Sequence, residues 1–369
     1  MSQSTSAPRH LESYACGQWH KGKGQAQPLV DAVRGEIIAY IDATGLDYQS
    51  MLDYGRDVGG PALRDMTVHE RALIIKELGL ALLESKEELY ASSTLTGATR
   101  SDSWIDIDGG IGTLLSYSSK GRRELSNTKV LLDGALEPLS RDGSFSAQHI
   151  LTPKPGVAIH INAFNFPCWG MLEKLAPTWL AGMPAIVKPA SQTAYLTELV
   201  VRKLLATGLL PDGALQLICG STGDLLDHVG AQDVVTFTGS ADTGRMLRAT
   251  PAIVQNSVPF NMEADSLNAT ILGSDVSTDC PEFQMLVTEV VNEMISKAGQ
   301  KCTAIRRVLV PRNMASSVNE AIKERLEKIT VGDPALETTQ MGPLASVEQR
   351  QEVQQSVDEL LTETTLVYG

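Results

Sequence analysis

No part of this 369-residue chain is a long uninterrupted apolar run. The longest apolar stretches are broken by Pro, Gly or charge, and none has the ~20 residues that cross a bilayer as a helix. Basic residues are in deficit, with 31 Lys and Arg against 44 Asp and Glu, for a net charge of −13. A bare nucleic-acid surface needs a basic stripe, so that class is excluded. An anionic cofactor is not, because a few local N–H donors hold a phosphate. Cysteine is sparse and scattered: Cys16, Cys168, Cys219, Cys280 and Cys302. The count is odd and no close pair has the spacing of a zinc knuckle or a redox motif. Reduced thiols in a cytoplasmic protein are expected, with no metal. The polar start, Met1 to Glu12, lacks the apolar core of a secretory leader. Internal repeats and low-complexity linkers are missing too.

What remains is ordinary globular usage, with 43% hydrophobic and 20% charged residues. That length and composition suit two or three domains with ample core. The first part reads as helical. Thr67 and Glu70 have capping-box spacing, and Leu73, Ile74, Leu78, Ala81 and Leu82 recur at helical intervals. Gly97 suits a helix stop. Residues 120 to 150 are mixed and polar, like a connecting arm. From Pro155 the rhythm changes. Val157 to Ile161, Ala185 to Val187, Leu215 to Ile218 and Val234 to Phe237 read as buried strands, with a helix from about Thr193 to Ala206. Strands alternating with helices imply βαβ units and a parallel sheet. Ligands on such sheets bind at the carboxyl ends of the strands. A long amphipathic segment from about Pro281 to Ala298 breaks at Gly299, and Thr303 to Val310 reads as a strand.

Several residues in these places carry chemistry. Cys302 lies between the Gly299 turn and a strand, and a thiolate there can add to a carbonyl carbon. Lys301 beside it is a candidate for favouring the thiolate, or points its side chain away. On local grounds alone a free cysteine is more often a small buried hydrophobe. Glu263, among apolar neighbours, can act as a general base for water; as a surface ion pair it would do nothing. The Asn165 amide, just after a strand, can donate to an oxyanion or merely cap a turn. Lys188 ends a strand, well placed for a cofactor ribose or phosphate, or simply exposed. Gly239, Ser240 and Gly244 follow the strand from Val234 and open a helix with Ser240 as N-cap. The start of that helix could hold a pyrophosphate, although the motif is not GxGxxG.

Together these segments resemble the aldehyde dehydrogenase superfamily. Phe164-Asn165-Phe166-Pro167, Ile186-Val187-Lys188-Pro189, Phe237-Thr238-Gly239-Ser240, Met262-Glu263 and Gly299-Gln300-Lys301-Cys302 occur in its order and approximate spacing. Val331-Gly332-Asp333-Pro334 and Met341-Gly342-Pro343-Leu344 also look like its signatures. The resemblance implies an α/β fold: a parallel-sheet, Rossmann-type cofactor domain plus an α/β catalytic domain. Its expected layout is a helical segment and arm over 1–150, an NAD(P)-binding domain over 151–262, and the first part of the catalytic domain over 263–369. It implies Cys302 as nucleophile, and Asn165 with the Cys302 N–H as oxyanion hole. Glu263 becomes the activator of the hydrolytic water. Lys188, Ser191, Gly239, Ser240, Gly244 and Phe164 become the cofactor contacts.

Departures from the pattern sharpen the expectation. NAD-specific members often have a glutamate where this chain has Ser191. A carboxylate there repels a 2′-phosphate and a serine can donate to it, so NADP is expected ahead of NAD. The usual Gly-Gly after the glutamate is replaced by Ala264-Asp265-Ser266, which suggests a reshaped loop. Thr96 to Trp104, Asn165 to Pro177 and Met262 to Asn268 resemble a narrower family, the bifunctional PaaZ proteins of phenylacetate degradation. That family joins the dehydrogenase to a hydratase that opens an oxepin-CoA ring. The implied substrate is a CoA-linked aldehyde, 3-oxo-5,6-dehydrosuberyl-CoA semialdehyde. Lys120, Arg122, Arg123, Arg306 and Arg307 are candidate CoA phosphate contacts, or a solvated charged face. The family's Glu-x-Phe-Gly-Pro segment, last oligomerisation strand and hydratase are not found before Gly369. The chain is therefore expected to be an N-terminal piece of a longer, homo-oligomeric protein. The rival readings are a general or CoA-acylating aldehyde dehydrogenase, and an inactive fragment with a scaffold role. Glu263 argues against acylation, which needs no glutamate base.

Overall fold

The computed structural model describes residues 8–369. The chain gathers into two compact units. The first comprises residues 1–29, 39–89 and 106–264, and the second residues 30–38, 90–105 and 265–369. Residues 1–150, expected as one helical segment with an arm, are thus shared between both units. They also begin with strands: β1 Arg9–His10, β2 Glu12–Ala15, β3 Gln18–Lys21, β4 Gln27–Val30 and β5 Ile37–Ile41. These strands are too short for a periodic signal to stand out.

Helices follow: α1 Tyr48–Tyr54, α2 Gly60–Asp65, α3 Val68–Glu84, α4 Lys86–Thr94, α5 Arg100–Ser103 and α6 Gly109–Glu124. At the start of α3 the Thr67 hydroxyl accepts from the Glu70 N–H, and the Glu70 carboxylate accepts from the Thr67 N–H at 2.7 Å, as the capping box predicts. The buried stripe is rotated from the expected one. Val68, Ala72, Ile75, Leu78 and Leu82 face the core, and Leu73 is exposed. The expected arm is a hairpin, β6 Leu131–Pro138 and β7 Ser146–Leu151, with mostly exposed side chains.

The first unit is built on a sheet of seven strands. The remaining elements in chain order are β8 Ala158–Ile161, α7 Trp169–Leu180, β9 Ala185–Lys188, α8 Ala194–Ala206, β10 Leu215–Leu217, β11 Val234–Gly239, α9 Ala241–Arg248, α10 Pro251–Gln255 and β12 Phe260–Ala264. The sheet order is β12-β11-β8-β9-β10-β2-β3. From β12 to β10 every pairing is parallel, as the alternating strands and helices require. The N-terminal β2 and β3 extend the far edge antiparallel, which sequence rhythm alone did not reveal. Buried Glu198 in α8 ties β2 down by accepting from the Glu12 N–H at 3.3 Å, and Arg202 bridges Glu198 and the Glu12 carboxylate at 2.9 and 2.7 Å. Val157, Ile159, Ile161, Ile186, Val235 and Phe237 fill one side of the sheet against Met51 and Leu52 of α1.

In the second unit β13 Asn268–Ile271 pairs parallel with β14 Ile305–Leu309. Between them runs α11 Pro281–Ile295, and α12 Ala315–Leu326 and α13 Val347–Leu361 follow. Leu272, Phe283, Leu286, Val287, Val290, Met314 and Val318 form the core here. Helix α11 ends before the expected Ala298, because Lys297 and Ala298 leave the helical region altogether. No helix among the described residues is long and apolar enough to cross a membrane.

Candidate active site

The first unit brings Asn165, Lys188, Gly239, Ser240 and Glu263 to the carboxyl ends of its parallel strands. Ile161 of β8 lies opposite Lys188 of β9, and Thr238 of β11 opposite Glu263 of β12. Asn165 and Phe164 sit, half-buried, in the loop that leaves β8. This loop is tied on several sides. Thr193 donates to the Phe164 carbonyl at 3.2 Å, and Thr197 to that of Pro167 at 3.0 Å. The fully buried Asp106 carboxylate accepts from the Cys168 and Trp169 N–H groups, at 3.2 and 2.8 Å. Those N–H groups open α7, where a carboxylate also meets the positive end of the helix dipole. Gly109 follows close by because a Cβ there would lie 2.7 Å from the Trp169 ring. Asp106 was not singled out in the sequence; its signal is an acidic residue flanked by Ile105 and Ile107.

Glu263 is 61% exposed in its side chain, and its carboxylate accepts from the Thr238 hydroxyl at 3.1 Å. Lys174 of α7 lies 3.9 Å from it, with its stem largely buried, and donates to Glu173 and the Gly170 carbonyl. Lys174 is another site neighbour that the sequence reading passed over, although a lysine inside the apolar α7 pattern marks it. His160 in β8 is buried, its pKa pushed down to about 3 chiefly by burial and then by Lys174. It is a neutral core residue and not a base.

The expected cofactor contacts lie at strand ends and turns of the first unit. Burial lowers the Lys188 ammonium pKa, and no acidic side chain pairs with it among the described residues. Such a cation at a strand end is short of a partner. Ser191 opens a short 3₁₀ turn just beyond, half-buried. The Ser240 hydroxyl caps α9 by accepting from the Thr243 N–H. A Cβ on Gly244 would collide with the Met262 sulfur, and one on Gly239 would lie 2.5 Å from the Phe237 ring. The two glycines let α9 start tight against the sheet, where its N-terminus suits a phosphate.

The second unit carries Cys302. Of the five cysteines it alone is exposed. Burial drives the pKa of Cys168 and Cys219 upward and keeps them as inert thiols. Ahead of Cys302, three successive residues are left-handed: Lys297 (φ 53°), Ala298 (φ 52°) and Gly299 (φ 73°). The two non-glycines each cost about 1 kcal/mol or more in that region. The turn persists because its surroundings hold it. Lys297 N–H donates to Asp102 at 2.8 Å. Gln300 donates its amide to the Lys297 carbonyl at 2.8 Å and accepts from the Ala345 N–H at 3.1 Å. The Cys302 carbonyl accepts from Ser266 at 2.5 Å and Asn268 at 2.6 Å. The departure at Ala264-Asp265-Ser266 therefore has a structural use: Asp265 is left-handed (φ 49°) and Ser266 braces the cysteine.

For two sets of candidate cations local contacts favour the second of the readings open to them. Lys301 is paired with Glu293 at 2.8 Å, both largely buried, so its charge is spent away from the thiol. The proposed CoA-phosphate cations also have local partners. Arg306 donates to the Gly299 and Lys301 carbonyls, and Arg307 to that of Leu267. Arg122 reaches the Ser118 carbonyl, while Lys120 and Arg123 lie near Glu124.

Comparison with known proteins agrees with this geometry. Residues 19–369 match the model of the aldehyde dehydrogenase family. A 3,4-dehydroadipyl-CoA semialdehyde dehydrogenase of Aromatoleum evansii is 42% identical over 361 residues, covering 97% of this chain and 70% of that protein. Two solved structures share the fold at low identity. A betaine aldehyde dehydrogenase from Staphylococcus aureus in complex with NAD+ has a TM-score of 0.83 at 22% identity, over 94% of this chain and 67% of that one. An aldehyde dehydrogenase from Physcomitrella patens in complex with the product succinate has 0.81 at 20%, over 97% and 72%. By sequence and by fold, the chain belongs to the aldehyde dehydrogenase family.

Proposed function

We propose that this protein oxidises a CoA-linked semialdehyde to its acid, with NADP preferred over NAD, through a covalent adduct on Cys302. The observation that carries the nucleophile is its exposure, unique among the five cysteines, on a braced turn. The substrate class rests on the 42% identical relative, whose name specifies 3,4-dehydroadipyl-CoA semialdehyde. The resemblance to the bifunctional family adds 3-oxo-5,6-dehydrosuberyl-CoA semialdehyde, which a ring-opening hydratase would supply. In this reading the first unit binds the cofactor and the second carries the thiol.

The Cys302 sulfur adds to the aldehyde carbon, and the Asn165 amide and Cys302 N–H donate to the resulting oxyanion. Hydride acceptance, which no side chain can supply, is the contribution of the nicotinamide cofactor. Glu263 then takes a proton from water, whose oxygen attacks the thioester carbonyl, and the Cys302 sulfur leaves. Exposure of Glu263 lets water reach it, and Lys174 keeps a positive charge nearby. Lys188, Ser191 and the start of α9 at Ser240 would hold the ribose and phosphates. The unpaired Lys188 charge and the serine at 191 support NADP, because neither repels a 2′-phosphate.

The test is formation of reduced cofactor from each semialdehyde with NADP and with NAD. Higher kcat/KM with NADP supports the whole reading. Activity with NAD alone overturns the cofactor preference and leaves the chemistry intact. Release of an acyl-CoA that needs added free CoA would overturn the hydrolytic step.

A further inference from the structure

Among the supports of the Cys302 turn, one comes from a short helix far earlier in the chain. Asp102 lies in the first turn of the short helix α5 and is 3% exposed. One carboxylate oxygen accepts from the Thr99 N–H at 3.0 Å and the Thr99 hydroxyl at 2.8 Å, closing a capping box. The other oxygen accepts from the Lys297 N–H at 2.8 Å. Lys297 is the first of the three left-handed residues. A buried N–H that loses its acceptor carries a desolvation cost, so a flipped turn would be penalised as long as Asp102 is present. We infer that Asp102 is a positioning residue for Cys302: it locks the left-handed turn at Lys297 and thereby sets where the thiol sits. The inference rests on the reading of Cys302 as nucleophile.

The physical argument is one of competition. Left-handed backbone at Lys297 and Ala298 is unfavourable in isolation, and other turn conformations are open to an unpinned Ser296–Gly299 segment. Gln300 closes the turn from within through the Lys297 carbonyl and holds its far side to the Ala345 N–H, but neither bond engages the Lys297 N–H. Asp102 belongs to α5, nearly two hundred residues earlier, so its hold refers the turn to a separate rigid element. A displacement of about 1 Å at a reacting atom can cost on the order of a hundredfold in rate.

The test separates the pin from the cap. In Asp102→Asn only one oxygen remains, and the two Thr99 donors outcompete the single Lys297 N–H for it. The amide NH₂ then faces the Lys297 N–H, donor against donor, so the pin is lost with side-chain volume and cap retained. Thr99→Ala does the converse, weakening the cap and leaving the pin. Each protein is assayed for the pre-steady-state burst of reduced cofactor, the dinucleotide dissociation constant and thermal stability. Cys302→Ala is run beside them. Asp102→Asn is expected to slow the burst by about tenfold or more, with dinucleotide binding unchanged. Thr99→Ala is expected to lower stability and keep the burst rate within about twofold. Adding Ala298→Gly to Asp102→Asn is expected to recover part of the rate, since glycine adopts the left-handed region at little cost. A wild-type burst in Asp102→Asn, or equal slowing in Asp102→Asn and Thr99→Ala, overturns the inference. A burst that survives in Cys302→Ala overturns instead the nucleophile assignment on which it rests.

Discussion

In the first unit Asn165, Lys188, Ser240 and Glu263 stand at the ends of parallel strands that are hydrogen-bonded to one another. In the second, Cys302 stands on a turn whose backbone is left-handed at three residues running. The strand ends are fixed by sheet register and a buried core, and any one contact there is a small part of the whole. The turn is held by a few specific bonds, from Asp102, Gln300, Ser266, Asn268 and Ala345. A sheet tolerates change at its rim, whereas a strained turn stays in place only while its partners remain. The region that carries the proposed nucleophile is thus the more fragile of the two.

That contrast can be broken or sharpened by substitution. The largest effect should come from Cys302→Ala, which removes the atom that bonds to substrate and is expected to lower kcat by at least about a thousandfold, with dinucleotide binding in the first unit intact. Steady-state turnover and dinucleotide titration check both halves of that statement. Next, Glu263→Gln should cut turnover by about a hundredfold and preserve the initial burst, because thioester hydrolysis alone loses its base. Equal loss of burst and turnover would mean that Glu263 acts before the acyl stage. Smaller again, Ser191→Glu should move the ratio of kcat/KM for NADP over NAD toward NAD by about tenfold, through repulsion of the 2′-phosphate. An unchanged ratio would place the discrimination elsewhere. The smallest catalytic effect is expected from Asp106→Ala. It leaves the buried Cys168 and Trp169 N–H groups without their acceptor and should cost about 1–3 kcal/mol of stability by urea unfolding. If it instead slowed the burst as strongly as Asp102→Asn, the strand-end loop would be as fragile as the turn, and the comparison would fail.

The same contrast explains what could be read from sequence. Strands β8 to β11, the capping box at Thr67 and the Ser240 cap follow from local pattern, since each depends on residues within a few positions. So does the placement of Lys188 at a strand end, whereas β12, which carries Glu263, was not among the strands read from local pattern. The supports of Cys302 were not legible, because Asp102 and Ser266 meet it only through tertiary structure. For Lys301 adjacency in sequence left two directions open, and only its tertiary pairing with Glu293 decides between them. The rotated stripe on α3 shows that helical spacing fixes the element before it fixes the buried face. Strands β2 and β3 escaped notice because their burial depends on a sheet edge made by residues far along the chain.

The central claim is that the substrate is held as a thioester on Cys302 until Glu263 delivers water. Glu263→Gln should arrest the reaction at that stage. Mixing this variant with a CoA-linked semialdehyde and NADP, quenching in acid and mapping the peptides by mass spectrometry tests it directly. The prediction is an added acyl mass on the peptide that contains Cys302, absent when NADP is left out. An acyl mass on another residue, or an unmodified Cys302 in a variant that still turns over, would contradict it.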